Sequence, residues 1–523
     1  MTKNTHQSTL LQLLCLILLL NSGLISEVSA QRFAVGGIAK SNSPYKRGWT
    51  ETQDHEKGKI LHTKSLVLHP APEPHPALKY RLIPSEFNQL DGNAGVHYLR
   101  AMGFFEQTYA QRELTRIEQE ASKEAQDKGI EQNAVSPFSW QRMSSAELPI
   151  EEVKKYLQLT EFQTAEIAAA HQLRSLDFSR NLRQVESPIS ILLPETQQMR
   201  GLARTQSLRC RVAIAELRYD DAVQILGQQF HLASHLGQEP ILVSNLVAIA
   251  IAGTNWDDTL DFVEMPQAPN LFWAVSALPQ PLVPMRDSFS FEREWMSLEL
   301  KALKDVNEQM RPASYWPEFI DRILPQYNRL GAAMQTSFSL DRWELIYVIA
   351  AGYPCAKQYL IESEKMDAAL VESYTTAQVF FLAQKKYSDS AFDNLFKWSY
   401  LDFDQRRSLD SFQRSDEQFQ KNTSQVGWAA APVGMLYPAI GQVEMASARI
   451  ELQIAMLQAI EGIRMYAALN DRKLPRKLAD LPYPVRNDPF SGEPLTYEFF
   501  GDFATLTGGA GPYVYVLNLK IAK

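Results

Sequence analysis

A chain of 523 residues, 45% of them hydrophobic, can form two to four domains or one extended helical array, with a real core. Its net charge of −8, without a local Lys/Arg cluster, argues against nonspecific nucleic-acid binding, which depends on neutralising phosphates. Three cysteines, Cys15, Cys210 and Cys355, are too few in a chain of this length for a disulfide framework.

Residues 1–30 read as an export signal. Lys3 supplies the positive end, LLQLLCLILLL the apolar run, and Val28 and Ala30 stand at −3 and −1 of a cleavage site. The run is shorter than the roughly 20 residues a membrane span requires. The mature chain then begins at Gln31 in the periplasm or outside the cell, without a transmembrane segment. Residues 31–76 are polar and punctuated by proline, with His55, His62, His69 and His75 too far apart in a flexible chain to define a metal site. HPAPEPHP within them reads as an extended, polyproline-like linker.

ALKYRLI, residues 77–83, alternates as one short strand. One long helix over 90–126, capped by Asp91 or Asn93, follows, and then two more in 144–178, with a capping box at Ser144 or Ser145. The most regular stretch is 194–237, two amphipathic helices joined near Arg218. In the second, Tyr219, Ala222, Val223, Leu226, Phe230 and Ala233 share one face. Asp220, Asp221, Gln224, Gln228, His231 and His235 take the other. Gly237 suits a left-handed C-terminal cap, and Pro240 the first turn of the next helix. ILVSNLVAIAIAG is then a core helix, too short to span a bilayer.

Beyond it, Leu271, Phe272 and Trp273 sit in a short helix between prolines, expected as a buried clasp. Further helices are expected at 286–308, 315–331, 355–384 and 386–424. Phe380, Phe381, Phe392, Phe396, Trp398 and Tyr400 read as core rather than a ligand cage. Near the end, Leu452, Met456, Ala459, Ile460, Ile463 and Ala467 form the stripe of a strong helix. YEF, FATLT and YVYVLNL follow as a small antiparallel sheet laid upon it. The expected fold is mainly α, stacked helical hairpins in an α-solenoid-like array with a small C-terminal α+β element. Its units are a signal peptide (1–30), a flexible linker (31–76), a helical domain (77–430), and a long helix with its sheet (431–523).

Three resemblances attach to particular strings. ELRYDDAVQ resembles one helix of a tetratricopeptide repeat, with Ala222 as the packing alanine; no 34-residue period accompanies it. LKYRLIP, GNAGVHYLRA, the 192–252 stretch and APNLFWAVSALPQP together resemble an exported bacterial protein family of unknown function, across residues 77–285. ALNDRKLPRKLADLPYPVRNDPFSGEPLTYEF is similar to the helix-to-sheet segment of type II secretion pseudopilins, which implies helix-on-sheet packing. The helix is internal here, without a prepilin-peptidase site before it.

His231 and His235 have the i, i+4 spacing of zinc ligands, but Leu232 stands where a metalloprotease would carry glutamate. They are read as solvent-facing or interface histidines, and Glu239 as too far round the helix end to join them. Asp220–Asp221, Asp257–Asp258, Asp261 and Glu264 are read as acids placed by helix N-terminal dipoles. No G-x-S-x-G marks a serine, and GGAGP at 508–512 reads as a hairpin turn. No residue is assigned a catalytic, cofactor-binding or metal-binding role. The expectation is an exported helical protein that binds or scaffolds in the bacterial envelope, with a protein partner. An envelope-polymer hydrolase and a secretion-system accessory protein are the alternatives. Expression in a Gram-negative host should yield an extracytoplasmic product whose first residue by N-terminal sequencing is Gln31; a cytosolic product retaining Met1 would contradict the leader.

Overall fold

The computed structural model describes residues 46–523 apart from 55–58, 104–108, 186, 189–190, 334–338, 402–404, 407–408, 410 and 435–438. The leader and His55 lie outside the described residues. The chain is 62% helical, which makes the fold mainly α. Its helices are α1 (Ala94–Met102), α2 (Tyr109–Lys128), α3 (Ile150–Gln158), α4 (Phe162–His171), α5 (Pro194–Ala215), α6 (Tyr219–Leu236), α7 (Leu242–Val263) and α8 (Phe272–Ser276). They continue as α9 (Arg286–Glu299), α10 (Tyr315–Ala333), α11 (Arg342–Glu362), α12 (Ala368–Ser373), α13 (Thr376–Phe396), α14 (Ser411–Val426), α15 (Ala431–Gly434) and α16 (Ala439–Leu469). None of the described helices is long and apolar enough to cross a membrane.

Helices α5, α6 and α7 pack on one another in the middle of the body. Pro194 opens α5 at its first turn, where no N–H is required, and Leu217 turns the chain into α6 with a positive φ of 59°. The expected stripe of α6 is buried from Ala222 to Ala233, with Tyr219 half-buried at its end. Its other face is buried too from Gln228 onward, because α4 and the segment after it cover that side. Gly227 permits this crowding: a Cβ there would lie 2.5 Å from the Leu82 carbonyl oxygen. Gly237 is not a left-handed cap; its φ is −64°, and its missing side chain makes room for Val283 and Pro284. Helix α7 starts after Ile241 rather than at Pro240.

Several boundaries differ from the periodic reading. Residues 77–83 form no strand, and Gly103, at φ 74°, ends α1 where one long helix was expected. Asn93 caps α1 as expected. Ser144 donates both its backbone N–H and its hydroxyl to the Glu147 carboxylate, but the helix begins only after Pro149. Downstream, an Asp341–Glu344 capping box starts α11 before Pro354, which then sits inside the helix. Fresh caps at Asp367 and Thr375 divide the expected 355–384 helix.

The C-terminal strands β5 (Thr496–Phe499), β6 (Ala504–Gly508) and β7 (Val514–Ile521) form the expected antiparallel meander, and β6 touches α16. The sheet is larger than expected. Residues 31–76 contribute β1 (Thr50–Asp54) and β2 (Lys59–Leu68), and β2 pairs in parallel with β7 from Leu61–Val514 to Leu68–Ile521. The described part of that segment is therefore structural rather than a flexible linker. Its inward positions are Lys64, Leu66 and Leu68; the lysine interrupts the apolar alternation that would have marked a strand. A short parallel pair, β3 (Leu90–Asn93) with β4 (Leu173–Ser175), lies beside α1.

Charges, not only apolar stripes, fasten the N-terminal segment to the body. Asp257, Asp258 and Asp261 stand in the C-terminal half of α7, buried, and so are not helix N-terminal acids. Arg47, fully buried, meets Asp258 at 2.6 Å, and Ser207 and Gln229 also donate to that carboxylate. Trp49 Nε1 donates to Asp257 at 2.9 Å, while Lys64 and Ser145 reach Asp261. A second buried knot ties the chain at α16, where Arg464 pairs with Glu461 and donates to the carbonyls of His69 and Ala268. Removing one partner of a buried pair strands the other charge. Asp258→Ala should therefore lower the unfolding free energy by about 3–5 kcal/mol in urea titration, whereas the exposed control Asp127→Ala should stay within about 0.5 kcal/mol.

Candidate functional site

Two grooves flank the wall made by α3, α4 and α5. The first, about 870 Å³, runs between that wall, α2 and the turn at Phe138–Arg142. Helix α5 lines it with Gln198, Gly201, Arg204, Thr205 and Leu208, residues spaced to share one face. Helix α2 answers with Gln111, Arg112, Thr115, Glu118 and Gln119, again one helical stripe. Tyr156, Phe162 and Phe138 add aromatic surface.

The polar groups of this groove are only partly spent on the protein. Tyr156 donates its hydroxyl to Glu118 at 3.5 Å, and Gln141 donates to the Arg204 carbonyl. Neither Arg112 nor Arg204 makes an ion pair among the described residues, although both are exposed in the groove. Arg200, one turn before Arg204, has its pKa lowered, first by burial and then by the Arg204 charge. Glu118 is exposed by surface area, yet crowding from its neighbours raises its carboxyl pKa, an effect Arg204 partly offsets. The Gln163 carbonyl oxygen, in a residue only 8% exposed, has no hydrogen-bond partner.

The second groove, about 590 Å³, is lined by α3, α4, α5 and α6. Its exposed charges satisfy one another, Lys154 meeting Glu216 at 3.0 Å, Glu216 meeting Arg218 at 2.9 Å and Arg218 pairing with Asp221, while the buried Gln206 carbonyl oxygen and Arg209 Nη1 at its wall have no hydrogen-bond partner. A surface whose ions are already paired has less to offer a ligand. The first groove is the better candidate.

The residues weighed on sequence fall elsewhere. His231 and His235 are not on a solvent face; both are buried, ring on ring, with centroids 3.8 Å apart. His231 Nδ1 faces the His171 carbonyl at 2.9 Å and His235 Nε2 the Leu173 carbonyl at 2.9 Å. A carbonyl only accepts, so each of these nitrogens carries a proton, and His235 Nδ1 is left to accept from Tyr98 at 3.0 Å. The two rings are thus a hydrogen-bonded part of the core, and the half-buried His171 ring packs edge-on against His231. Glu239 turns away from them to pair with Arg180. Among the described residues no group of three or more His, Cys, Asp and Glu could hold a metal ion.

Asp220 and Asp221 do begin α6, and Asp221 holds Arg218. Glu264, after α7, accepts from the Val67 amide. Cys210 is buried, Cys355 exposed, and both are free thiols. Phe380, Phe381, Phe392 and Phe396 are core as expected, while Tyr400 is exposed beneath Arg286. GGAGP is the β6–β7 turn, with Gly509 at φ 101° accommodating the Tyr513 carbonyl. The groove itself was not found on sequence. Its only signal was the polar stripe recurring along 111–119 and 198–205, which resembles any solvated helix face.

No protein-family model, curated protein or solved structure matches this chain. Its functional reading therefore stands on its own side chains.

Burial of the histidines has a pH signature. It lowers His171 and His235 to about 4 and His231 to about 2, the last helped by the charges of its two neighbours. Folded pKa values below the unfolded 6.5 mean that the unfolded chain binds more protons as pH drops. Their contribution is complete above pH 6.5 and is lost as pH falls through 4 and below. His231→Gln, which keeps a donor for the His171 carbonyl, should reduce the acid slope of stability by about one proton, or about 1.4 kcal/mol per pH unit between 6 and 4.5. Parallel slopes for wild type and variant in urea titrations across that range would contradict the assignment.

Proposed function

We propose that this chain is an exported, non-catalytic binding or scaffolding protein of the bacterial envelope, periplasmic or extracellular, using the α2–α5 groove as its ligand surface. The observation that carries the reading is the groove's lining: guanidinium groups, two of them without an ion pair among the described residues, side-chain amides, hydroxyls and aromatic faces converge on one concavity. Such a mixture of apolar wall and a few placed polar groups is what small-ligand sites use. The export signal supports the compartment. Hydrolysis of an envelope glycan by the usual route needs two carboxyl groups facing across roughly 5–9.5 Å, and this groove is lined by one, Glu118.

A protein partner in the same compartment belongs to the proposal. Trp343 and Tyr347, at i and i+4 on α11, are 76% and 66% exposed. Aromatic anchors of this kind dominate binding energy at protein interfaces. Tagged mature protein should recover a reproducible partner from envelope fractions, and the double variant Trp343→Ala/Tyr347→Ala should recover about tenfold less or below, the effect of losing hot-spot anchors. Absence of any partner, together with turnover of a glycan or peptide substrate by the purified protein, would reverse the reading.

A further inference from the structure

We infer that the ligand of the α2–α5 groove is an acidic oligosaccharide, a glycan segment carrying carboxylate groups; this rests on reading the groove as a binding surface. Arg112 on α2 and Arg204 on α5 face the groove from different walls, and neither has an ion-pair partner among the described residues. Arg200, half-buried one turn before Arg204 and outside the groove lining, has its pKa lowered first by burial and then by the Arg204 charge. One carboxylate, Glu118, stands against them. Arg112 and Arg204 outnumber Glu118, whose charge Arg204 only partly meets, so in a protein with net charge −8 the lining of this groove keeps a positive excess that favours an anion. Guanidinium forks match a carboxylate in two parallel hydrogen bonds.

The remaining groups separate a glycan from an acidic peptide. The groove's walls are helices, so an extended peptide finds no strand edge along them to pair its backbone with. What the walls offer instead are side-chain amides. The side-chain amides of Gln119 and Gln198 are exposed and bond to no described residue, and the buried Gln163 keeps an unpartnered carbonyl oxygen at the wall. A carboxamide presents donor and acceptor side by side, which fits the adjacent hydroxyls of a sugar ring. Phe138, Phe162 and Tyr156 supply flat apolar faces for the ring's C–H surface. Cations for the acid groups, amides for the hydroxyls and aromatic faces for the ring describe one ligand class.

The test uses mature protein and three probes: hexagalacturonate, neutral cellohexaose and hexaglutamate, titrated calorimetrically at low and moderate salt. Hexagalacturonate should bind, should weaken as salt rises, and should bind at least about tenfold tighter than cellohexaose, the effect of a charge-assisted pair. Arg204→Ala and Arg112→Ala, both at exposed helical positions, should each weaken it by about tenfold while leaving the circular dichroism spectrum and melting temperature unchanged. Gln198→Ala should weaken both saccharides alike, a readout that a purely electrostatic contact would not show. Hexaglutamate binding as tightly as hexagalacturonate, with the same loss in Arg204→Ala, would overturn the glycan assignment and leave the groove as a binding surface. Failure of all three probes to bind a folded protein would overturn the inference, and the partner recovery experiment would then decide the broader reading separately.

Discussion

Three buried carboxylates on one helix govern how this chain must fold. Asp257, Asp258 and Asp261 occupy the half of α7 that lies inside the body, where an unpaired carboxylate would cost several kcal/mol. Their partners come from distant parts of the chain: Arg47, Trp49 and Lys64 from the N-terminal segment, Ser145 from the turn before α3, and Ser207 from α5. The segment that begins the described chain is thereby drawn into the centre. Once Lys64 is held against Asp261, β2 lies where β7 can pair with it along eight residues.

The same logic repeats at α16. Arg464 and Glu461 are both fully buried, and the guanidinium spends its remaining donors on carbonyls of His69, Ala268 and Pro269. Asn270 closes the knot by donating to Ala71 and Glu461. Two segments nearly two hundred residues apart in sequence are thus stitched to one helix. Apolar packing is permissive about register, whereas hydrogen-bonded charges are not. Here the core is apolar in bulk and is positioned by a small number of ionic contacts.

Away from those knots the groups are disposed differently. Between α2 and α5, Arg112 and Arg204 remain without ionic partners among the described residues, and side-chain amides face a concavity rather than one another. The buried carboxylates of α7 are held by partners from elsewhere in the chain, whereas these two exposed guanidinium groups are left to solvent. The neighbouring groove makes the contrast plain, since its Lys154–Glu216–Arg218–Asp221 chain is self-satisfied.

Much of the helical architecture could be read from local pattern alone. The stripes of α6 and α16, the cap at Asn93, and the strands β5 to β7 depend on residues within a few positions of one another, and periodicity records such relations. The buried faces of α6 could not be read this way. His231 and His235 look polar in sequence, and only Tyr98 and the carbonyls of His171 and Leu173 make their burial tolerable. Nor could β2, whose inward lysine is acceptable solely because Asp261 stands opposite it. The groove was hidden for a related reason: a polar helix face looks the same whether it meets open water or a second polar face. By itself the amino-acid order determined which segments coil and which apolar stripes seek cover. Tertiary structure decided which charges may be buried and which stay open, because the partner that sets the cost of each charge lies tens to hundreds of residues away.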